Sequence, residues 1–302
     1  MAQEPTIHAL FETTTGTWQY IVADPATSTA AIIDPVLDYD PATHTITSTA
    51  ADGLLSMIQE KEYHISHILE THAHADHLTA AAYLAHRLAQ TQGSRPPLIC
   101  IGKRITQVQQ HFGKAPLTAF FVDDETFSIG ELTVVAMHLP GHTPDHLGYQ
   151  IGDNIFCGDS LFHADLGTAR CDFPAGNSVR VWTGHDYPHA DRTQPVPWLT
   201  VRDHKERNKH VNSNVTEAEF LALRRERDAG LGEPRLLNPA LQVNIRAGRV
   251  PRMLVLPVKL EGEVLVELDG KTRQPFLTGF LPSVASLGLT AMSAEHKILK
   301  GA

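Results

Sequence analysis

The amino-acid sequence predicts a layered α/β protein, and three observations carry that expectation. Apolar strand-like segments alternate with helical ones over most of the first 230 residues. Turn residues such as Asp24-Pro25 and Gly152-Asp153-Asn154 separate them. Histidines and aspartates of the metal-binding kind follow directly after several of the strands.

Taken in order, Gln19–Ile33 reads as two strands around Asp24-Pro25. Leu54–Tyr63 has the pattern of a short helix, and Ile65–Glu70 that of a buried strand. Leu78–Gln90, LTAAAYLAHRLAQ, is rich in Ala and Leu at helical spacing, with Asp76 placed to cap its N-terminus. Leu98–Gly102 is a further strand and Ile105–Phe112 a short helix. Thr126–His138 forms a hairpin around Ile129-Gly130-Glu131, and Leu147–Cys157 a second around Gly152-Asp153-Asn154, residues that tolerate positive φ. Val179–Thr183 is the next strand, and Glu217–Asp228 a helix whose charges suit i,i+4 pairing on a surface.

At 302 residues the chain can bury a sizeable core, and 42% hydrophobic with 20% charged residues is a globular composition. A net charge of −9 argues against nucleic acid or an anionic membrane as partner. The longest apolar stretch, near Phe276–Met292, is broken by Pro282 and polar residues, so no membrane span is expected. Three cysteines, Cys100, Cys157 and Cys171, offer no disulfide framework and suit a reducing intracellular compartment. Cys157 reads as a small core residue, and His204 and His210 in a charged run read as solvated. The N-terminus has neither a signal-peptide nor a transit-peptide pattern. The unusual figure is 18 histidines, and they cluster.

THAHADH, residues 71–77, places His72, His74, Asp76 and His77 at the end of a strand and the start of a helix. Side chains two apart on a strand share a face, so His72 and His74 project together while Asp76 and His77 follow as the chain turns. Imidazoles with a carboxylate make a site for a borderline transition metal. His142 in LPGHTPDH, Asp159 in FCGDS and His185 in WTGHDY each follow another strand. Each of these alone is a weak signal. Delivered by four strand ends to one edge, they make a strong one.

The series T-H-A-H-A-D-H, P-G-H-T, G-D and G-H-D-Y resembles the metallo-β-lactamase superfamily. That resemblance implies a four-layer αββα sandwich with a metal centre at one end of the β core. GTARCDF at Gly167–Phe173, TGHDYP and ERNKH are further similar to the glutathione persulfide dioxygenases, over about residues 7 to 260. The resemblance implies one Fe(II) per chain on His72, His142 and Asp159, leaving positions open for O₂ and a substrate thiolate. His74, Asp76, His77 and His185 would then orient the ligands or hold a second metal. Arg170, Asp186 and Tyr187 would meet the substrate, with structural ion pairing a close alternative for Arg170. The implied reaction converts glutathione persulfide, O₂ and water into sulfite and glutathione, in cytosol or mitochondria, with a homodimer compatible with the family. The alternative is a thioester hydrolase resembling glyoxalase II, in which the same residues hold two Zn(II) around a bridging hydroxide. A third reading is a catalytically impaired variant.

The chain departs from the family at one point. Only Ala175-Gly176-Asn177-Ser178 separate Phe173-Pro174 from Val179–Trp182, where the family carries a helix-bearing connection. One outer helix is therefore expected to be missing and an apolar patch of the sheet to be exposed. The expected organisation is a catalytic domain over 1–262 and a tail over 263–302.

Overall fold

The computed structural model describes residues 4–93, 95–112, 119–167, 177–189, 192–232, 234–250 and 259–260. Two six-stranded sheets form its centre. The first contains β1 (Thr6–Glu12), β2 (Thr17–Ala23), β3 (Thr29–Ile33), β6 (His64–Leu69), β8 (Leu98–Gly102) and β9 (Ala119–Phe121), in that spatial order. The second runs β10 (Glu125–Ile129), β11 (Leu132–His138), β12 (Leu147–Ile151), β13 (Asn154–Phe156), β14 (Arg180–Trp182) and β15 (Trp198–Thr200). A small sheet joins β4 (Val36–Asp40), β5 (Thr45–Thr47), β7 (Leu78–Thr79) and β16 (Lys259–Leu260).

Strand periodicity builds the layers. In β2, Trp18, Tyr20 and Val22 enter the core between the two sheets, while Ile21 and Ala23 enter the core on the opposite face. β3 divides in the same way, Ala31 and Ile33 inward and Ala30 and Ile32 outward. The outward set packs against α1 (Thr49–Glu60) through Leu54 and Ile58, α2 (Ala81–Thr91) through Leu84 and Leu88, and α6 (Leu237–Asn244) through Val243. Between the sheets, Tyr20 meets Phe156 edge-on at 5.1 Å and Trp182 at 5.7 Å. α3 (Ile105–Phe112) packs with α6 through Ile105, Val108 and Leu241. The fold is the expected αββα sandwich.

The outer layer over the second sheet is thin. α4 (Val201–Arg207) contributes Val201, whereas α5 (Glu217–Gly230) buries no residue. β13 and β14 pair in parallel, and the only helix among the described residues of their connection is the single 3₁₀ turn Gly158–Ser160. Residues 168–176, where the missing helix was expected, lie outside the described residues, and among the described ones the expected apolar exposure is not seen. Ile155, Val179 and Val181 are buried in a cluster with Leu139, Leu161 and Val201.

Two further expectations are corrected. The helix after the histidine cluster begins at Ala81, because Leu78–Thr79 pairs as a strand with Val36 and Leu37. Asp76 is consequently no helix cap. His204 and His210 are buried rather than solvated. Arg170, Cys171 and the tail 263–302 lie outside the described residues. Among the described residues no helix is long and apolar enough to cross a membrane.

Candidate metal centre

Strand direction gathers the candidate ligands. β11 and β12 are antiparallel, β12 and β13 antiparallel, and β13 and β14 parallel, so β11, β13 and β14 all end at one edge. His142, Asp159 and His185 follow those ends, and residues 70–77 follow β6 of the facing sheet.

The loop 70–77 is pinned from several sides. Glu70 N donates to Cys100 O at 2.9 Å, Leu147 N to Thr71 O at 2.7 Å, and Ala73 N to the buried Asp145 carboxylate at 2.7 Å. Asn244 of α6 donates to both His74 O and His77 O at 2.8 Å. Two glycines make room. A Cβ at Gly158, whose φ is 50°, would sit 2.5 Å from Thr71 Oγ1, and one at Gly184 would sit 2.6 Å from Asp159 Oδ1.

Hydrogen-bond accounting assigns a lone pair to each ring. Thr71 Oγ1 gives its proton to Asp34 Oδ2 at 2.8 Å, so it accepts from His72 Nδ1 at 3.0 Å. That leaves His72 Nε2 bare, buried and without a hydrogen-bond partner. His74 Nε2 faces Asp34 Oδ1 at 3.1 Å and Glu70 Oε2 at 3.4 Å, leaving Nδ1 unpartnered. His146 Nε2 donates to Cys157 O at 2.9 Å, again leaving a bare Nδ1. His77 Nδ1 lies 3.2 Å from Asp76 Oδ2, and its Nε2 has no partner. Buried lone pairs without donors are costly unless something electropositive meets them.

The atoms are grouped closely enough for that. Ligand atoms of His74, Asp76, His77 and His185 lie within 4.8 Å of one another, as do those of His72, His142 and His146. Asp159 joins the two groups. Its Oδ2 is 3.4 Å from His142 Nε2 and 3.8 Å from His72 Nε2, while Oδ1 is 3.4 Å from His185 Nε2. His185 Nε2 is also 3.1 Å from Asp76 Oδ2, an ion-pair distance without hydrogen-bond alignment. The donor set fits a transition-metal centre.

Electrostatics agree with the geometry for His72, His142 and His146 and not for His74. Burial holds the His72 pKa well below its ordinary value, helped by His74, His146 and His142. Burial likewise pushes His146 down to about 4, and His142, with 32% of its side chain exposed, is also lowered, so both rings are neutral and coordinate readily near neutral pH. His74 is the reverse case: Asp34 and Glu70 overcome its burial and raise it well above the usual value. For His185, Asp159 and Asp76 outweigh burial and raise the pKa to about 9. Burial raises that of Asp159.

The remaining sequence candidates divide. Tyr187 stacks on His185 at 5.8 Å between centroids and is half exposed, at the rim. Asp186 is fully buried and engaged by Arg192. Cys157 is buried with its thiol pushed to about 12 by burial, a core residue as expected. A cavity of about 750 Å³ borders His77 and is walled by Glu12, Thr15, Asp38, Tyr39 and Arg235. Asp34, Glu70, Asn244 and His146 escaped sequence reasoning. His146 alone had a local signal, standing four residues after His142 in LPGHTPDH.

Residues 13–222 match the metallo-beta-lactamase superfamily, and the chain belongs to it. It is an enzyme of that superfamily with a metal-binding His/Asp cluster. The chain is 37% identical over 281 residues to Glyoxylase B2 of Dictyostelium discoideum, covering 83% of this chain and 94% of that protein. It is 35% identical over 285 residues to a probable metallo-hydrolase of Burkholderia pseudomallei (strain 1710b), covering 82% and 94%. Among solved structures, ETHE1 from Myxococcus xanthus superposes with a TM-score of 0.63 at 24% identity, over 81% of this chain and all of that one, a likeness of fold.

Proposed function

We propose that the protein is an iron-dependent dioxygenase that oxidises glutathione persulfide to sulfite and glutathione. The observation that carries this reading is the convergence of His72 Nε2 and His142 Nε2 on one oxygen of Asp159, at 3.8 and 3.4 Å. Two neutral imidazoles and one carboxylate on one side leave the remaining positions open, the arrangement that suits non-haem Fe(II). Fe(II) held there supplies the redox chemistry that lets O₂ react with a sulfur anion.

The chain's own groups do the rest. Asp34 fixes the His72 ring through Thr71, and Asp34 with Glu70 fixes His74. His185 and Asp76 face Asp159 Oδ1 and His185 Nε2 respectively, leaving Oδ2 for the iron. His142, with 32% of its side chain exposed, stands at the open side where substrate enters. Tyr187, half exposed, offers its hydroxyl as a proton donor at the rim. The cavity beside His77 carries Glu12, Asp38, Asp40 and Arg235 on its wall, a mainly acidic lining that would meet the amino group of glutathione.

A second reading, a dinuclear-zinc hydrolase of glutathione thioesters, is favoured by the unpartnered His74 Nδ1 and His77 Nε2. The names of the two relatives support it as well. Metal analysis after reconstitution with either metal separates the readings. The dioxygenase retains about one iron per chain and loses it in His72→Ala. Two tightly held zincs with no retention of iron would favour the hydrolase.

A further inference from the structure

The start of β2 grips the segment carrying His185. Trp18 N donates to Gly184 O at 2.8 Å, Asp186 N donates to Gly16 O at 2.9 Å, and Thr17 forms an isolated antiparallel bridge with His185. These backbone contacts place the residue despite the shortened connection before β14. Gly16 O, a backbone acceptor 3.3 Å from His185 Nδ1, also bears on the rotation of the ring and on its proton.

A chain of side-chain hydrogen bonds supplies a second constraint of the same polarity. The Glu12 carboxylate accepts Thr14 N at 2.6 Å, Thr15 N at 2.8 Å and Thr15 Oγ1 at 2.6 Å. A carboxylate held by three donors can only accept, so the Thr15 hydroxyl proton is committed to it. Thr15 Oγ1 must then accept from Thr17 Oγ1, 2.7 Å away. Thr17 has given its own proton, so it accepts from His185 Nδ1 at 3.2 Å. The polarity is fixed from end to end, and it requires the proton of His185 to sit on Nδ1. Thr17 is 1% and Glu12 8% exposed, while Thr15, the link between them, is half-buried beside the cavity that borders His77. At the far end, His185 Nε2 is turned to Asp76 Oδ2 at 3.1 Å and Asp159 Oδ1 at 3.4 Å.

We infer that Thr17 is a positioning residue for the metal centre: the Glu12–Thr15–Thr17 line holds His185 with its Nδ1 protonated and its Nε2 presented to Asp159. His185 Nε2 lies 3.4 Å from Asp159 Oδ1, so the ring faces the oxygen that His72 and His142 do not approach. The inference rests on the proposed centre through Asp159 and His185, and it holds whether that centre takes iron or zinc. Gly16 O, 3.3 Å from His185 Nδ1, is a second acceptor that keeps part of the orientation when the hydroxyl is removed.

The test compares wild type, Thr17→Val and Thr17→Ser in the full-length chain. Zinc dissociation constants come from chelator competition, and the His185 Nδ1–H resonance is followed by ¹⁵N-edited NMR in the diamagnetic zinc form. Valine keeps the shape and removes the hydroxyl. It should weaken metal binding by about 10-fold, at the lower end for loss of such a partner, and speed exchange of the Nδ1 proton with solvent. Serine should restore both to near wild type. Thr15→Val, one link further out, should move the proton signal in the same direction by less. Valine and wild-type proteins with equal dissociation constants and equal proton exchange would overturn the inference, as would a serine variant no better than valine. If Thr17→Val does not fold, an unchanged Nδ1–H signal in Thr15→Val overturns it alone. Failure of the dioxygenase reading shows separately, as wild-type protein that binds metal but does not consume O₂ with persulfide.

Discussion

Replacing Arg192 with alanine should destabilise the protein far more than an ordinary surface substitution. Arg192 joins two loops: its Nη1 and Nη2 donate to Asp186 at 2.5 and 2.6 Å, and its Nε and Nη2 to Asp165 at 3.0 and 3.2 Å. Asp186 has no exposure to solvent, and in the variant Val196 N, at 2.7 Å, would be its remaining donor. Breaking a buried pair by removing one partner costs about 3–5 kcal/mol. Arg192 keeps 15% and Asp165 28% of its side chain exposed, so the lower end applies, about 3 kcal/mol. For a chain of this size that corresponds to a melting point lowered by about 5 °C. Arg192→Lys should recover only a small part, because a single ammonium cannot match four directed N–H bonds. Urea unfolding of the three proteins at one metal load is the assay. A loss below about 1 kcal/mol for the alanine variant would refute the reasoning, since it would mean that the Asp186 charge needs no partner.

Other changes have equally definite outcomes. Tyr20 is fully buried and its hydroxyl donates to Thr183 O at 2.5 Å, so Tyr20→Phe should cost about 1–3 kcal/mol in urea melts by orphaning a carbonyl next to the His185 segment. Burial depresses the His204 pKa to about 4, so the folded state binds its proton less readily than the unfolded chain, whose value is about 6.5. Stability from this residue is complete above about pH 6.5 and is lost as pH falls through about 4, an effect of about 3 kcal/mol that His204→Gln should remove from acid melts of metal-free protein. His72→Ala, which removes a buried neutral ring whose Nε2 has no other partner, should abolish retention of iron through gel filtration.

The parts of the site legible in the sequence are those whose signal is local. H-x-H-x-D-H, the Pro-Gly loop with His142, Gly-Asp at Asp159 and Gly-His at His185 stand just past strands that alternation reveals, and parallel strand direction then brings them together. The supporting groups are far away in sequence. Asp34 reaches Thr71 across 37 residues, Thr17 reaches His185 across 168, and Asn244 reaches His74 across 170. Nothing in a single chain's pattern marks an Asp or a Thr for such a role. The helix start at Ala81 was hidden for a related reason: Leu78–Thr79 becomes a strand only because Val36–Leu37 lies beside it. His204 and His210 failed because a charged neighbourhood in sequence says little about which side chains turn inward.

The most direct test of the central claim is oxygen consumption by the iron-reconstituted protein on addition of glutathione persulfide, with sulfite assayed in the same vessel. The proposed centre predicts rapid uptake, about one sulfite formed per O₂ consumed, and loss of both in His142→Ala. No uptake by folded, iron-loaded protein, together with hydrolysis of a glutathione thioester by the zinc form, would contradict it.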